Sequence, residues 1–170
     1  LAEATRNAGF DAEQQVQIGR LQLAADNFEG ATYSAGKALQ GRPDDLMALA
    51  LRVDIEARRR DPQKVDAALK ALAAKHPNAV PTLLTSGHVA MSRGKFDAAL
   101  QSYQQAFAKE PSGPVAILMA QAHAAAKRPA KAIAVLEDWL KQHPEDTAAL
   151  RVETEILLAA GQALIGGENY

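Results

Sequence analysis

No cysteine occurs among the 170 residues, which excludes disulfides and thiol catalysis over this length and leaves oxidising and reducing compartments equally compatible. No excess of charge is present either. The 19 basic and 20 acidic residues leave a net charge of −1, so the chain carries no electrostatic footprint for nucleic acid or for an anionic membrane. Apolar runs stop far short of the roughly 18 residues that a spanning helix needs, so this segment holds no membrane span. Linkers and low-complexity stretches are also missing. What remains is globular in composition, since hydrophobic residues reach 48% while charged ones are held to 23%.

Catalytic and cofactor patterns are lacking as well. His76 and His143 each precede a proline and read as helix-end residues beside the negative pole of the dipole. His88 and His123 fall at different places in successive helices and are expected to face different directions. No His-x-x-x-His pair or helix-spaced His–carboxylate group supports a metal site. The serines lack a Gly-x-Ser-x-Gly elbow, and the glycines form no phosphate-cradling loop. The chain is therefore read as non-catalytic, with no cofactor and no metal. Arg58, Arg59 and Arg60, flanked by Asp54, Glu56 and Asp61, read as a solvated helix end.

Helical periodicity dominates the rest. In VPTLLTSGHVAMSRGKFDAALQSYQQAFAKEPS, from Val80 to Ser112, two short helices fold back on each other around Gly94. Gly87 and Ala99 sit mid-helix and are expected to face one another. Phe96, Tyr103, Ala106 and Phe107 make an apolar stripe, and Pro111 ends the second helix. Asp44 or Asp45, Asp61 before Pro62, Ser112 and Asp146 are expected N-caps, and Gly161 is expected to make a turn. Pro43, Pro77, Pro111 and Pro144 recur at spacings of 34, 34 and 33 residues, which is the period of a helix-pair repeat.

On these marks the chain resembles the tetratricopeptide family. The small site of the first helix holds Gly19, Val53, Gly87, Ala120 and Thr154, and that of the second holds Ala31, Val65, Ala99, Ala132 and Gly166. The site that opens the second helix holds Phe28, Pro62, Phe96, Pro129 and Ala163, and the large site further along holds Ala35, Leu69, Tyr103, Leu136 and Tyr170. The resemblance implies an all-α fold, a right-handed α-α superhelix of antiparallel helix pairs. Repeats are expected at 12–45, 46–79, 80–112 and 113–146, with a partial repeat at 147–170 and residues 1–11 ending a preceding helix. Both ends then fall inside a repeat, and the chain is expected to be one array cut from a longer one. Trp139 stands where Ala38, Leu72 and Ala106 stand in the other repeats, and is expected to fill a wider gap to the next repeat.

The resemblance also implies where a partner docks, because first helices line the groove in this family. Carried onto this sequence, one line of the groove holds Val16, Ala50, Leu84, Ile117 and Arg151, and a second holds Arg20, Asp54, His88, Gln121 and Glu155. Leu23, Met91 and Arg58 complete the surface. It suits an amphipathic helix or an extended apolar peptide. The alternative, that some of these apolar side chains pack between neighbouring first helices, stays open at this point. The groove lacks the Lys and Asn of members that clamp acidic C-terminal tails, and only Arg20 and Arg58 could meet a carboxylate.

Two phrases, KHPNAVPTLLTSGHVAMSRGKFDAALQSYQQAF and PAKAIAVLEDWLKQHPEDTAALRVETEILLAAGQ, are similar to the large bacterial repeat lipoproteins of exosortase and PEP-CTERM sorting. That similarity implies a scaffold in the bacterial envelope or periplasm, serving protein sorting or exopolysaccharide export through a protein or peptide partner. A cytoplasmic adaptor, the regulatory or assembly arm of a larger enzyme, and a self-associating spacer are the other arrangements compatible with these residues.

Overall fold

A computed structural model describes residues 11–167, with side chains through residue 162. The readings placed on residues 1–10 and on the side chains of Ala163, Gly166 and Tyr170 lie outside the described residues. Nine α-helices occur among the described residues: α1 (Ala12–Ala24), α2 (Phe28–Gly41), α3 (Leu46–Arg59), α4 (Pro62–Lys75), α5 (Val80–Ser92), α6 (Phe96–Lys109), α7 (Gly113–Ala125), α8 (Pro129–Leu140) and α9 (Thr147–Gly167). The chain divides into two compact units, Leu1–Thr85 and Ser86–Tyr170, with the boundary inside α5.

In the first unit α1 packs on α2, α3 on α4, and α3 also on both α1 and α2. Every one of these four helices begins with a side-chain cap: Asp11 accepts from the Glu13 amide, Asn27 from Gly30, Asp45 from Met47 and Ala48, and Asp61 from Lys64. Each cap satisfies an amide that would otherwise lack a partner in the first turn. The Lys64 amide, followed by the Lys64 ammonium, holds the Asp61 carboxyl below the usual carboxylate range. The core gathers Val16, Leu23, Ala31, Ala35, Ala48, Leu51 and Ile55, all buried. Gln15, Gln22 and Ser34 are buried beside them, and the Ser34 hydroxyl donates to Gln22 Oε1 at 2.8 Å. Gly19 is needed because a Cβ there would lie 2.7 Å from Leu51 Cδ2 and 3.3 Å from the Ser34 Cβ.

In the second unit α7 packs on α6, α8 and α9, and α8 packs on α9. Its caps are fewer. Lys95 and Arg128 occupy N-cap positions without a side-chain hydrogen bond to the first turn. Ser112 also occupies its expected position but its hydroxyl caps nothing. Pro114 supplies no amide at the second position of that helix, and the Val115 amide turns to the Ser112 carbonyl at 3.1 Å. Asp146 does cap α9, accepting from the Ala149 amide at 3.0 Å.

Three expectations change on the structure. Gly161 makes no turn, because α9 runs unbroken from Thr147 to Gly167. Gly161 lacks a positive φ and has no neighbour within 4 Å of a Cβ position, so the roughly 1 kcal/mol helix penalty of one glycine is its only cost against the helix-compatible residues around it. Gly87 is covered most closely by the Tyr103 ring, into which a Cβ at 87 would project, so Ala99 is not its nearest neighbour. Trp139 reaches Asp146, the cap of the following helix α9, donating its indole N–H to Oδ2 at 2.8 Å, yet leaves open space on its other side rather than filling it.

The turns between paired helices share a feature that glycine content reveals only once. Asp26, Arg60, Gly94 and Lys127 all adopt left-handed φ values, 54°, 58°, 68° and 57°. Only Gly94 does so without a Cβ penalty. Asp26 gains an ion pair there, with Arg58 Nη2 2.6 Å from its carboxylate.

Candidate functional site

The residues assigned to a first-helix face divide by unit. In the first unit Val16 and Leu23 are buried at 4% and 8% exposure and belong to the core cluster, so neither is available to a partner. Arg20, Asp54 and Arg58 are exposed. Arg58 is held by Asp26 at 2.6 Å, which occupies one of the two cations able to meet an incoming carboxylate. Leu84 is half-buried on the part of α5 that belongs to this unit.

In the second unit His88 and Gln121 are exposed, and Met91 and Ile117 are half-buried. Ile117 rests against the cluster of Ala120, Ala132, Leu136, Ala149, Val152 and Ile156, so part of its surface is core and part is open. Arg151 and Glu155 are exposed one turn apart on α9, with Nε and Oε1 separated by 3.8 Å. Such an exposed pair adds little to stability and leaves both groups free to exchange partners.

His88 is positioned by what lies beneath it. Gly87 lets the Tyr103 ring come up against α5, and the His88 imidazole meets that ring edge-on, 5.8 Å between centroids at 63°. Tyr103 is fully buried, its hydroxyl has no hydrogen-bond partner, and burial pushes its pKa up to about 12. His123, by contrast, is half-buried beside the ion pair that Arg128 makes with Asp97 at 2.6 Å. Burial lowers its pKa, and the charges of Lys131 and Arg128 lower it further. The two histidines therefore sit in different environments. His76 ends α4 and its Nε2 lies 2.6 Å from the Asp44 carbonyl, while His143 stacks on Trp139 at 3.7 Å.

No group of three or more His, Asp or Glu side chains suited to a metal ion occurs among the described residues, and no described helix is long and apolar enough to cross a membrane. The polar residues of the first-helix face can donate and accept hydrogen bonds and its half-buried apolar residues can be covered. That is the chemistry of recognition.

Residues 90–156, all within the second unit, match the tetratricopeptide repeat family. The helix pairs before that stretch keep the same spacing, with first helices opening at Ala12, Leu46 and Val80. The chain has the tetratricopeptide-repeat fold. Solved structures agree across nearly its whole length. A thermophilic tetratricopeptide-repeat protein of Thermus thermophilus is 22% identical with a TM-score of 0.76, over 90% of this chain and 84% of that one. PilF of Pseudomonas aeruginosa is 18% identical with a TM-score of 0.73, over 90% of this chain and 70% of that one. PilW, a widely conserved type IV pilus biogenesis factor, is 17% identical with a TM-score of 0.73, over 89% and 70%. No curated protein matches the chain in sequence.

What the sequence pattern did not mark is the surroundings of Trp139. The signal was there, in a large aromatic at a site that holds Ala38, Leu72 and Ala106 elsewhere.

Proposed function

We propose that this chain is a non-catalytic scaffold that binds a protein or peptide partner on its first-helix face, chiefly through the second unit, in bacterial envelope protein sorting or exopolysaccharide export. The observation that carries this reading is the contrast between the units. Val16 and Leu23 are spent on the core, whereas Met91 and Ile117 are half-buried and the polar groups His88 and Gln121 on the same two helices are exposed. Methionine adapts its shape to a partner, and each large apolar side chain that a partner fully covers contributes roughly 1.5–3 kcal/mol, so two such anchors can decide micromolar binding. The likeness in fold to a type IV pilus biogenesis factor is compatible with an envelope setting.

Photo-crosslinking residues placed at His88 and at Gln121 in the source cells test the reading. The expected result is one common envelope protein crosslinked from both positions, lost when Met91→Asp is added to a chain whose helicity by circular dichroism is unchanged. Crosslinks to that protein from the opposite side of the repeats, at Lys70 or Gln104, with none from His88 or Gln121, would overturn it.

A further inference from the structure

The single tryptophan lines a cavity that the repeat frame does not require. In the second unit Phe107 of α6, Met119 of α7, Val135, Asp138 and Trp139 of α8, and His143 just beyond it surround about 450 Å³. Pockets that take small ligands or anchoring side chains run from roughly 300 to 1,000 Å³. The walls are fixed in place. Trp139 donates to Asp146 Oδ2 at 2.8 Å, stacks on His143, and meets Phe107 edge-on at 6.1 Å between centroids. Asp146 is itself fixed, since it caps α9 and would be displaced by any side chain at Gly113. With its N–H given to Asp146, the indole offers the cavity apolar surface alone.

The first unit shows that this lining is a property of the sequence rather than of the frame. Two repeats earlier, Leu39 and Arg52 stand in the places of Phe107 and Met119. With Thr32, Gln40, Ile55 and Glu56 they line an opening of about 360 Å³ whose walls include two charged residues, Arg52 and Glu56, and no aromatic. A seam of this kind thus accepts charged side chains in its walls. In the second unit it is built instead from Phe107, Met119, Val135 and Trp139, all half-buried.

Charge narrows the occupant. The lining includes a carboxylate, Asp138, and no lysine or arginine. Lys141 holds Asp138 Oδ1 at 2.7 Å, but both side chains are more than two-thirds exposed, so the pair contributes little and an arginine fork can join or replace it. A purely apolar ligand leaves Asp138 unused, and a lone cation leaves the walls uncovered. We propose that this cavity, formed mainly by second helices and independent of the first-helix face, docks a partner segment that places an apolar side chain between Phe107, Met119 and Trp139 and an adjacent arginine on Asp138.

Trp139 is the only tryptophan, so its fluorescence reports on the cavity directly. The probes are acetylated, amidated tetrapeptides of sequence Ala-Leu-Arg-Ala and Ala-Phe-Arg-Ala, with Ala-Ala-Arg-Ala and Ala-Leu-Glu-Ala as controls, titrated into the intact chain. The expected result is a saturable change with a Kd of about 1 mM or tighter for the first two peptides, and binding weaker by about fivefold or more for both controls. Asp138→Asn, an exposed change, is expected to bring the Leu-Arg peptide down to the level of the Leu-Glu control. Met119→Glu is expected to abolish the response to all four. Absence of a saturable change up to about 10 mM overturns the proposal. So does an equal response to the Ala-Arg peptide, which means charge alone, or to the Leu-Glu peptide, which means an apolar site without the arginine. An unchanged response in Asp138→Asn overturns it in the same way.

Discussion

Around Gly19 in the first unit the space left by a missing side chain is shared by the tip of Leu51 and by Ser34, whereas at Gly87 in the second unit it is taken by the flat ring of Tyr103. The large sites of the repeats run in the opposite sense to the small ones. Leu69 and Leu136 accompany Val53 and Ala120, and Tyr103 accompanies Gly87. The first repeat is the exception, with small Ala35 beside Gly19, and there Leu51 of the next helix pair comes in to complete the packing. The difference teaches that the frame fixes a summed volume at each crossing and leaves its division to the sequence. One crossing can be closed by a flexible aliphatic and a polar pair, Gln22 with Ser34, and another by a rigid aromatic. Close packing of this kind penalises added volume according to how far the neighbour can yield.

The largest effect expected from this comparison is therefore at Gly87. Gly87→Ala is predicted to cost about 1–3 kcal/mol by overpacking, because a ring cannot move aside, and the bulkier Gly87→Leu more. Gly19→Ala is predicted to cost clearly less, because the Leu51 methyl that it meets lies at the end of a mobile side chain. Adding Tyr103→Leu to Gly87→Ala recreates the Ala120–Leu136 pair and should recover most of the loss. Thermal melts of the single and double variants give the coupling. Independent, additive effects would show that the crossing is not governed by shared volume.

A second test uses the burial of Tyr103. Its pKa is raised to about 12 from the usual value near 10, so the folded chain resists ionisation. The sign follows from linkage: the contribution is fully present below about pH 10 and is lost as pH rises towards 12, where the unfolded chain gives up the proton first. Denaturant melts should show Tyr103→Phe to be more stable than the parent at pH 11, with a gap that narrows towards pH 8. Parallel pH profiles for the two proteins would contradict a buried hydroxyl.

The smallest effect concerns the caps. Asn27 begins α2 at φ −82°, ψ 78° and bonds the Gly30 amide, while Lys95 begins α6 at φ −86°, ψ 64° with nothing to offer. The backbone is ready for a cap that α6 lacks. Lys95→Asn is predicted to stabilise by about 0.5–2 kcal/mol, and Asn27→Ala to destabilise by a similar amount, as read from urea midpoints. A destabilised Lys95→Asn would mean that the two turns are not equivalent.

Much of the frame was legible because a proline mark every 34 or 33 residues, paired with small and large residues in register, leaves few alternatives. Asp45, Asp61 and Asp146 were readable as caps for the same local reason. Gly94 advertised its turn, but Asp26, Arg60 and Lys127 adopt the same left-handed conformation with no residue type to announce it. Ser112 misled because a cap needs an amide to bond, and Pro114 removes one. The first-helix face was only half legible. Periodicity places Leu23 and Met91 on the same line, yet whether a side chain on that line is covered depends on the neighbouring helix, which pattern alone does not supply. The cavity beside Trp139 was out of reach, since an unusual aromatic signals altered packing without saying whether it fills space or lines it.

The central claim is that the units share one frame but that partner binding belongs to the second. Hydrogen–deuterium exchange on the intact chain, with and without the protein crosslinked from His88 and Gln121, measures this unit by unit. The account predicts slowed exchange in residues 86–92 of α5 and in α7, and none in α1 and α3, where Val16 and Leu23 are already buried and Arg58 is held by Asp26. Protection confined to α1 and α3, or spread evenly over both units, would contradict it.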